Sequence, residues 1–108
     1  MTERMPPRRP FRLVYRAFDD IEFDAAKSDL IFNASGFDLP YISRIFPGYV
    51  LEREDTRRYR ERRYQVIGEG AGDVYVVIYT MRGKTCRLIT AWRAEREEQD
   101  LWYEYTRS

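Results

Sequence analysis

The 108-residue chain contains no histidine and a single cysteine, Cys86. Without imidazole, any acid–base chemistry falls to carboxylates, tyrosines and lysines. One thiol cannot form an internal disulfide, which fits a reducing compartment such as the cytoplasm. A tetrahedral zinc site, which draws on Cys and His, is left without ligands, and neither a metal nor a cofactor is expected. Apolar runs stay well short of the roughly 18 residues that a membrane span needs. The N-terminal stretch is charged and lacks the apolar segment of a secretory signal. Internal repeats and low-complexity tracts are missing too. These gaps exclude a disulfide scaffold, a zinc module and a helical membrane protein.

The chain does have charge, unevenly spread. Its net charge is only +1, with 19 Lys and Arg against 18 Asp and Glu. Residues 1–16 sum to +4, residues 17–56 to −6, residues 57–93 to +6 and residues 94–108 to −3. A cationic segment between acidic ones suits phosphate binding on one surface and a basic partner on another. It equally suits arginines that decorate a solvated sheet face.

Residues 59–93 carry the strongest structural signal. Runs at 59–67, 74–82 and 85–92, rich in Val, Ile and Tyr, are broken by Gly68–Asp73 and by the Gly83-Lys84 turn. This pattern predicts three consecutive antiparallel strands. Upstream, residues 1–18 read as a basic arm, in which the alternation of Phe11, Leu13 and Tyr15 allows one added strand. Residues 19–108 form the remaining domain. Asp20–Phe23 predicts a short strand. Asp24 then suits an N-cap for a helix that ends at Gly36, with Ala26, Leu30, Ile31 and Ala34 as its buried stripe. Asp38 caps a second helix with Pro40 in its first turn and Leu39, Ile42, Ile45 and Phe46 buried. Tyr49–Arg53 predicts a strand, and a last helix spans about Ala94–Tyr105, with Ala94, Leu101, Trp102 and Tyr105 as its stripe. The expected fold is α+β: a mostly antiparallel sheet of four to five strands, two N-terminal helices and a C-terminal helix, with the helices on one face.

Alternation sorts the last two strands into two faces. Val74, Val76, Ile78 and Thr80 stand beside Arg87, Ile89, Ala91 and Arg93, and the smaller aliphatics suit packing under helices. Tyr75, Val77, Tyr79 and Met81 stand beside Cys86, Leu88, Thr90 and Trp92, an aromatic face expected to look outward or to meet a partner. Aromatic platforms beside arginines hold single-stranded RNA, although the same residues also make ordinary cross-strand packing.

A family resemblance runs through these segments. Tyr79-Thr80-Met81-Arg82-Gly83, the strand Cys86–Ala94 and the helix from Glu98 to Trp102 resemble the C-terminal half of BrnT-type toxins, RelE-like ribonucleases of type II toxin–antitoxin operons. Phe23-Asp24 with Lys27, Gly36, and Glu61, Arg63 and Gly68 resemble that family's upstream motifs in order and spacing. The resemblance covers about residues 20–104 and leaves the basic arm outside. It departs from the family pattern at Ala34 and Ser35, which replace a Lys and a His, at Trp92 in place of an arginine that Arg93 follows, and at Trp102 in place of a tyrosine.

The resemblance implies metal-independent RNA cleavage that inhibits translation, in which a 2′-hydroxyl attacks the adjacent phosphate. By motif position Glu61, Arg63 and Arg87 are the candidate catalytic residues, with Glu61 as general base. Tyr79 is a candidate for stacking a base or relaying a proton. Arg60, Arg62, Trp92 and Arg93 are candidate RNA contacts. Arginine suits the phosphate because its planar fork pairs two oxygens and stays charged. The implied partners are RNA and a ribbon-helix-helix antitoxin that covers part of the arginine-rich face in a hetero-oligomer. Two readings stand beside this one: a catalytically degenerate binding or regulatory module of the same fold, and a structural protein whose arginines serve solubility.

Overall fold

The computed structural model describes residues 10–55 and 60–107. Six strands, β1 (Arg12–Arg16), β2 (Asp20–Phe23), β3 (Gly48–Asp55), β4 (Arg63–Gly70), β5 (Asp73–Arg82) and β6 (Thr85–Arg93), form one sheet in the order β1-β3-β4-β5-β6-β2. The expected meander of β4, β5 and β6 is present and antiparallel throughout, although its first strand starts at Arg63 rather than at 59, which lies outside the described residues. The sheet is nevertheless larger than expected, and mixed. β1 joins one edge antiparallel to β3, while β2 closes the other edge parallel to β6. Local alternation reports that a segment is a strand but not which edge it joins.

Both hairpin connections are two residues long. Gly83 takes φ 63° at the first central position of the β5–β6 turn, where a type II′ turn calls for glycine. The loop expected over Gly68–Asp73 shrinks to Ala71-Gly72, at φ 54° and 88°, because β4 runs on through Gly70. Gly68 lies inside that strand for a packing reason: a Cβ there would come within 3.0 Å of Val50 and 3.2 Å of Ile45.

Helix α1 (Ala25–Ser35) begins where Asp24 accepts the Ala26 amide at 3.0 Å and ends at Gly36 in the left-handed region. Its stripe is not the expected one. Ala26, Leu30 and Ala34 face solvent, and Leu30 is 66% exposed. Ile31 is buried as expected, but its companion toward the sheet, three residues before it, is Ser28. Burial of Ser28 is tolerable because its hydroxyl accepts the Leu39 amide at 3.0 Å, tying α1 to the next helix. Helix α2 (Leu39–Ile42), capped by Asp38, passes into a 3₁₀ turn, Ser43–Ile45, and buries Leu39, Ile42, Ile45 and Phe46 as expected.

Helix α3 (Arg96–Thr106) starts in a capping box between Glu95 and Glu98. It buries Trp102 and half-buries Leu101, while Tyr105 is exposed.

The helices lie on both faces of the sheet rather than one. Under α1 and α2, Phe37, Leu39, Ile42, Ile45 and Phe46 pack on Val50, Val66, Tyr75, Val77, Tyr79, Cys86 and Leu88. Under α3, Trp102 and Ala94 pack with Leu51, Ile67, Val74, Val76 and half-buried Trp92. The aromatic face of β5 is thus a core face and does not look outward. Val74 through Thr80 are all buried because both sides of this central strand are covered. The alternation expected along β6 also breaks. Ile78 pairs with Thr90 but Tyr79 with Leu88, so Ile89 is an extra residue, and Leu88 and Ala91 come to share a core face.

Candidate active site

Directly opposed residues of neighbouring strands share a face, so the register shows what stands together. On the α3 side, Leu51, Ile67, Val76 and Trp92 form one row across β3–β6. The next row is Arg53, Gln65, Ile78 and Thr90. Beyond it, at the end of the sheet away from the α3 cluster, lie Asp55, Arg63, Thr80, Arg87 and, on β2, Glu22. Arg63 and Arg87 therefore flank Thr80 on one face, about 10 Å apart at their backbones, two strand spacings.

Each of these side chains is oriented by a neighbour. Arg87 Nη1 donates to Glu22 Oε2 at 3.0 Å, and Arg82 approaches the same oxygen at 3.8 Å. Thr80, buried on the central strand, donates its hydroxyl to the Arg62 carbonyl at 2.6 Å and so fixes the backbone just before β4. That segment carries Glu61. Arg63 donates from Nε and Nη2 to a single oxygen of Glu61, Oε2, at 3.3 and 3.2 Å. Oε1 is left without a partner among the described residues, on a carboxylate 38% exposed. In the next row Arg53 donates to Gln65 at 3.0 Å and stacks over Phe11 at 4.1 Å. The result is a half-buried, cation-rich sheet end in which Glu61 offers an accessible carboxylate oxygen beside Arg63.

The candidates divide accordingly. Glu61, Arg63 and Arg87 come together. Glu61 precedes β4 rather than lying in it, and the strand's own carboxylate is Glu69, which accepts from Trp102 Nε1 at 3.0 Å. Arg60 and Arg62 are exposed beside Glu61, and Arg62 stands 3.8 Å from Glu54. Trp92 is four residues from this row along the strand direction, about 13 Å, packed with the α3 cluster and donating to Glu98 at 3.3 Å. Arg93 lies opposite Tyr75 on the other face, over the Tyr75 and Phe37 rings and paired with Asp73 at 3.0 Å.

Tyr79 is also on the other face, 2% exposed, where its hydroxyl donates to Glu52. Arg16 grips the same carboxylate from β1, Nε to Oε1 at 2.9 Å and Nη2 to Oε2 at 2.6 Å. Burial, and then the bond to Glu52, push the Tyr79 hydroxyl well above its ordinary range. The bond to Glu52 raises Arg16 further above its ordinary range. Reading the sequence alone missed this network and the role of Glu22. The signal for Glu52 was its parity with Val50, which places a carboxylate on a core face. Glu22 had no signal, because it meets Arg87 only through the parallel pairing of β2.

Among the described residues no group of three His, Cys, Asp or Glu stands together as metal ligands would. No helix in the described residues is long and apolar enough to cross a membrane. What the fold and this sheet end define is an α+β domain with a cationic sheet face. Residues 23–98 match the family described as ribonuclease toxin, BrnT, of type II toxin–antitoxin system. The match spans well over half of the chain, which therefore belongs to the BrnT family, and membership implies an antitoxin protein as partner. No curated protein matches the chain.

Proposed function

We propose that this chain is a RelE-like endoribonuclease toxin acting in the cytoplasm, and that its active site is the Arg63–Thr80–Arg87 row with Glu61. The observation that carries the reading is the register itself, which sets two arginines on either side of Thr80 with an accessible carboxylate oxygen next to one of them. Glu61 takes the proton from a 2′-hydroxyl. The O2′–P bond forms and the P–O5′ bond breaks, leaving a 2′,3′-cyclic phosphate and a 5′ oxygen that takes a proton from water. Arg63 and Arg87 stabilise the charge that develops on the phosphoryl oxygens, so no metal is needed for that task. Thr80 acts through the backbone it holds. Cleavage of messenger RNA by this chemistry would inhibit translation. The same cationic face is the surface that an acidic arm of a ribbon-helix-helix antitoxin would cover, giving a hetero-oligomer.

Incubating the purified chain with single-stranded RNA in the presence of chelator tests the reading. Products ending in 2′,3′-cyclic phosphate are expected. Intact RNA from a folded chain would instead favour a binding module.

A further inference from the structure

The strand β1 lies outside the segment that matches the family, yet it delivers Arg16 to a cleft on the sheet face opposite the Arg63–Arg87 row. This cleft, of about 350 Å³, is lined by Arg16, Phe18, Glu52, Tyr64, Tyr79 and Met81. Its size is at the lower end of small-ligand sites. Tyr64 stacks on Tyr79 with centroids 5.2 Å apart and planes 28° apart, and Phe18 meets Tyr79 edge-on at 5.4 Å. Glu52 holds Arg16 side-on, through Nε and one Nη2 hydrogen. A side-on grip directs the outer edge of the guanidinium, with both Nη1 hydrogens and the second Nη2 hydrogen, away from the carboxylate. The Arg16 side chain is 36% exposed, so solvent reaches it.

We infer that this cleft reads a guanine base, with the ring against the Tyr64 face and the outer edge of Arg16 donating to N7 and O6. Three features support that ligand class. The arginine is neutralised by a buried glutamate, so a bare phosphate gains little net attraction and meets the Glu52 charge close by. A neutral base edge needs only directed donors, and a parallel donor pair matches the two acceptors of guanine. The aromatic walls supply the stacking that a base requires and a phosphate cannot use. Adenine places a donor where guanine has O6. Cytosine has two adjacent acceptors but a smaller ring face. The inference rests on the ribonuclease reading for its polymer, since a base held here belongs to a strand that passes over the end of the sheet toward Arg63. The test below does not depend on cleavage.

Titration of the full chain with 5′-GMP, 5′-AMP, 5′-CMP and inorganic phosphate, followed by ¹H–¹⁵N NMR, measures the site directly. GMP is expected to shift the Arg16, Tyr64 and Met81 amides and the Arg16 side-chain Nε signal. AMP and CMP should bind at least about tenfold more weakly, the discrimination expected of one bidentate base contact. Phosphate should leave these signals in place. Arg16→Lys keeps the charge but loses the fork, and should bring GMP and AMP to equal affinity in a chain shown by melting to be folded. If that variant unfolds, the wild-type series decides alone. No shift near Arg16 at millimolar GMP, equal binding of the three nucleotides, or displacement of GMP by phosphate would each overturn the subsite. RNA cleavage without GMP binding sinks only the subsite. GMP binding without cleavage sinks only the ribonuclease reading.

Discussion

Glu22 on the edge strand β2 accepts a 3.0 Å hydrogen bond from Arg87 on β6, the one carboxylate directly opposite that arginine in the register. It therefore orients Arg87 and also competes with any phosphate for it. Glu22 is 41% exposed, so the pair itself adds little stability. Replacing it by Gln should leave the fold intact and tighten RNA binding severalfold, because Arg82 and Arg87 are both released. Anisotropy with labelled RNA in a Glu61→Gln background measures this. Unchanged or weaker binding would place the phosphate elsewhere.

Arg63→Ala and Arg87→Ala should each lower cleavage a hundredfold or more, about 3 kcal/mol of transition-state stabilisation. Glu61→Gln should do the same, since the amide cannot accept the proton. The three effects should fall short of additivity because the residues act as a unit. Thermal melts must accompany the assays, and wild-type-like activity in all three folded variants would move the site off this row.

Much of this was legible in the sequence, and its limits have physical causes. The three meander strands, the Asp24, Asp38 and Gly36 caps and the α2 stripe were readable because each depends on neighbours within a few residues. The α1 stripe was not. Ala26, Leu30 and Ala34 repeat regularly but face solvent, while a polar residue, Ser28, takes the buried side because the Leu39 amide supplies it with a partner. Nor did sequence show which faces the helices cover, since one extra residue in β6 changes the facing of everything beyond it. Of the candidate site, motif order picked out Glu61, Arg63 and Arg87, which stand at one end of the same sheet face. Tyr79 and Arg93 lie on the other face, through strand parity and the bulge, while Trp92 shares the face but sits with the α3 cluster, away from the row along the strand.

Ala71 sits at φ 54° in the turn between β4 and β5, followed by Gly72 at 88°. A type I′ turn favours Asn-Gly at these positions, and alanine in the left-handed region is strained. Ala71→Asn should therefore raise stability by about 0.5–1 kcal/mol, some 3–5 °C in Tm for a domain of this size. Calorimetry measures it, and a lower Tm would contradict the assigned turn.

Glu52 is 6% exposed and joins Arg16 of β1 to Tyr79 of β5. Glu52→Gln keeps the shape but removes the charge that Arg16 needs, and should cost about 2–3 kcal/mol. Tyr79→Phe should cost about 1 kcal/mol. The double variant should lose less than the two losses combined, because one bond is shared. Urea unfolding of the four chains tests this, and strict additivity would mean that the network is not coupled.

Burial pushes the Cys86 thiol up to about 12, from an ordinary 9.0, and raises the Tyr79 hydroxyl above its ordinary 10.0. Both groups are neutral when protonated, and the folded state holds those protons more tightly than the unfolded chain. Their contribution is therefore complete below about pH 9. It is lost as pH rises, from 9 for Cys86 and from 10 for Tyr79, where the unfolded chain ionises first. Each group in its window costs about 1.4 kcal/mol per pH unit, so Cys86 alone should remove about 2 kcal/mol by pH 10.5. Cys86→Ala should flatten that part of the slope while costing some stability at neutral pH. The same burial should keep Cys86 from alkylation at pH 8 until urea unfolds the chain. A flat wild-type profile between pH 8 and 10.5, or rapid alkylation of the folded protein, would show that this thiol is not enclosed by the sheet and its N-terminal helices.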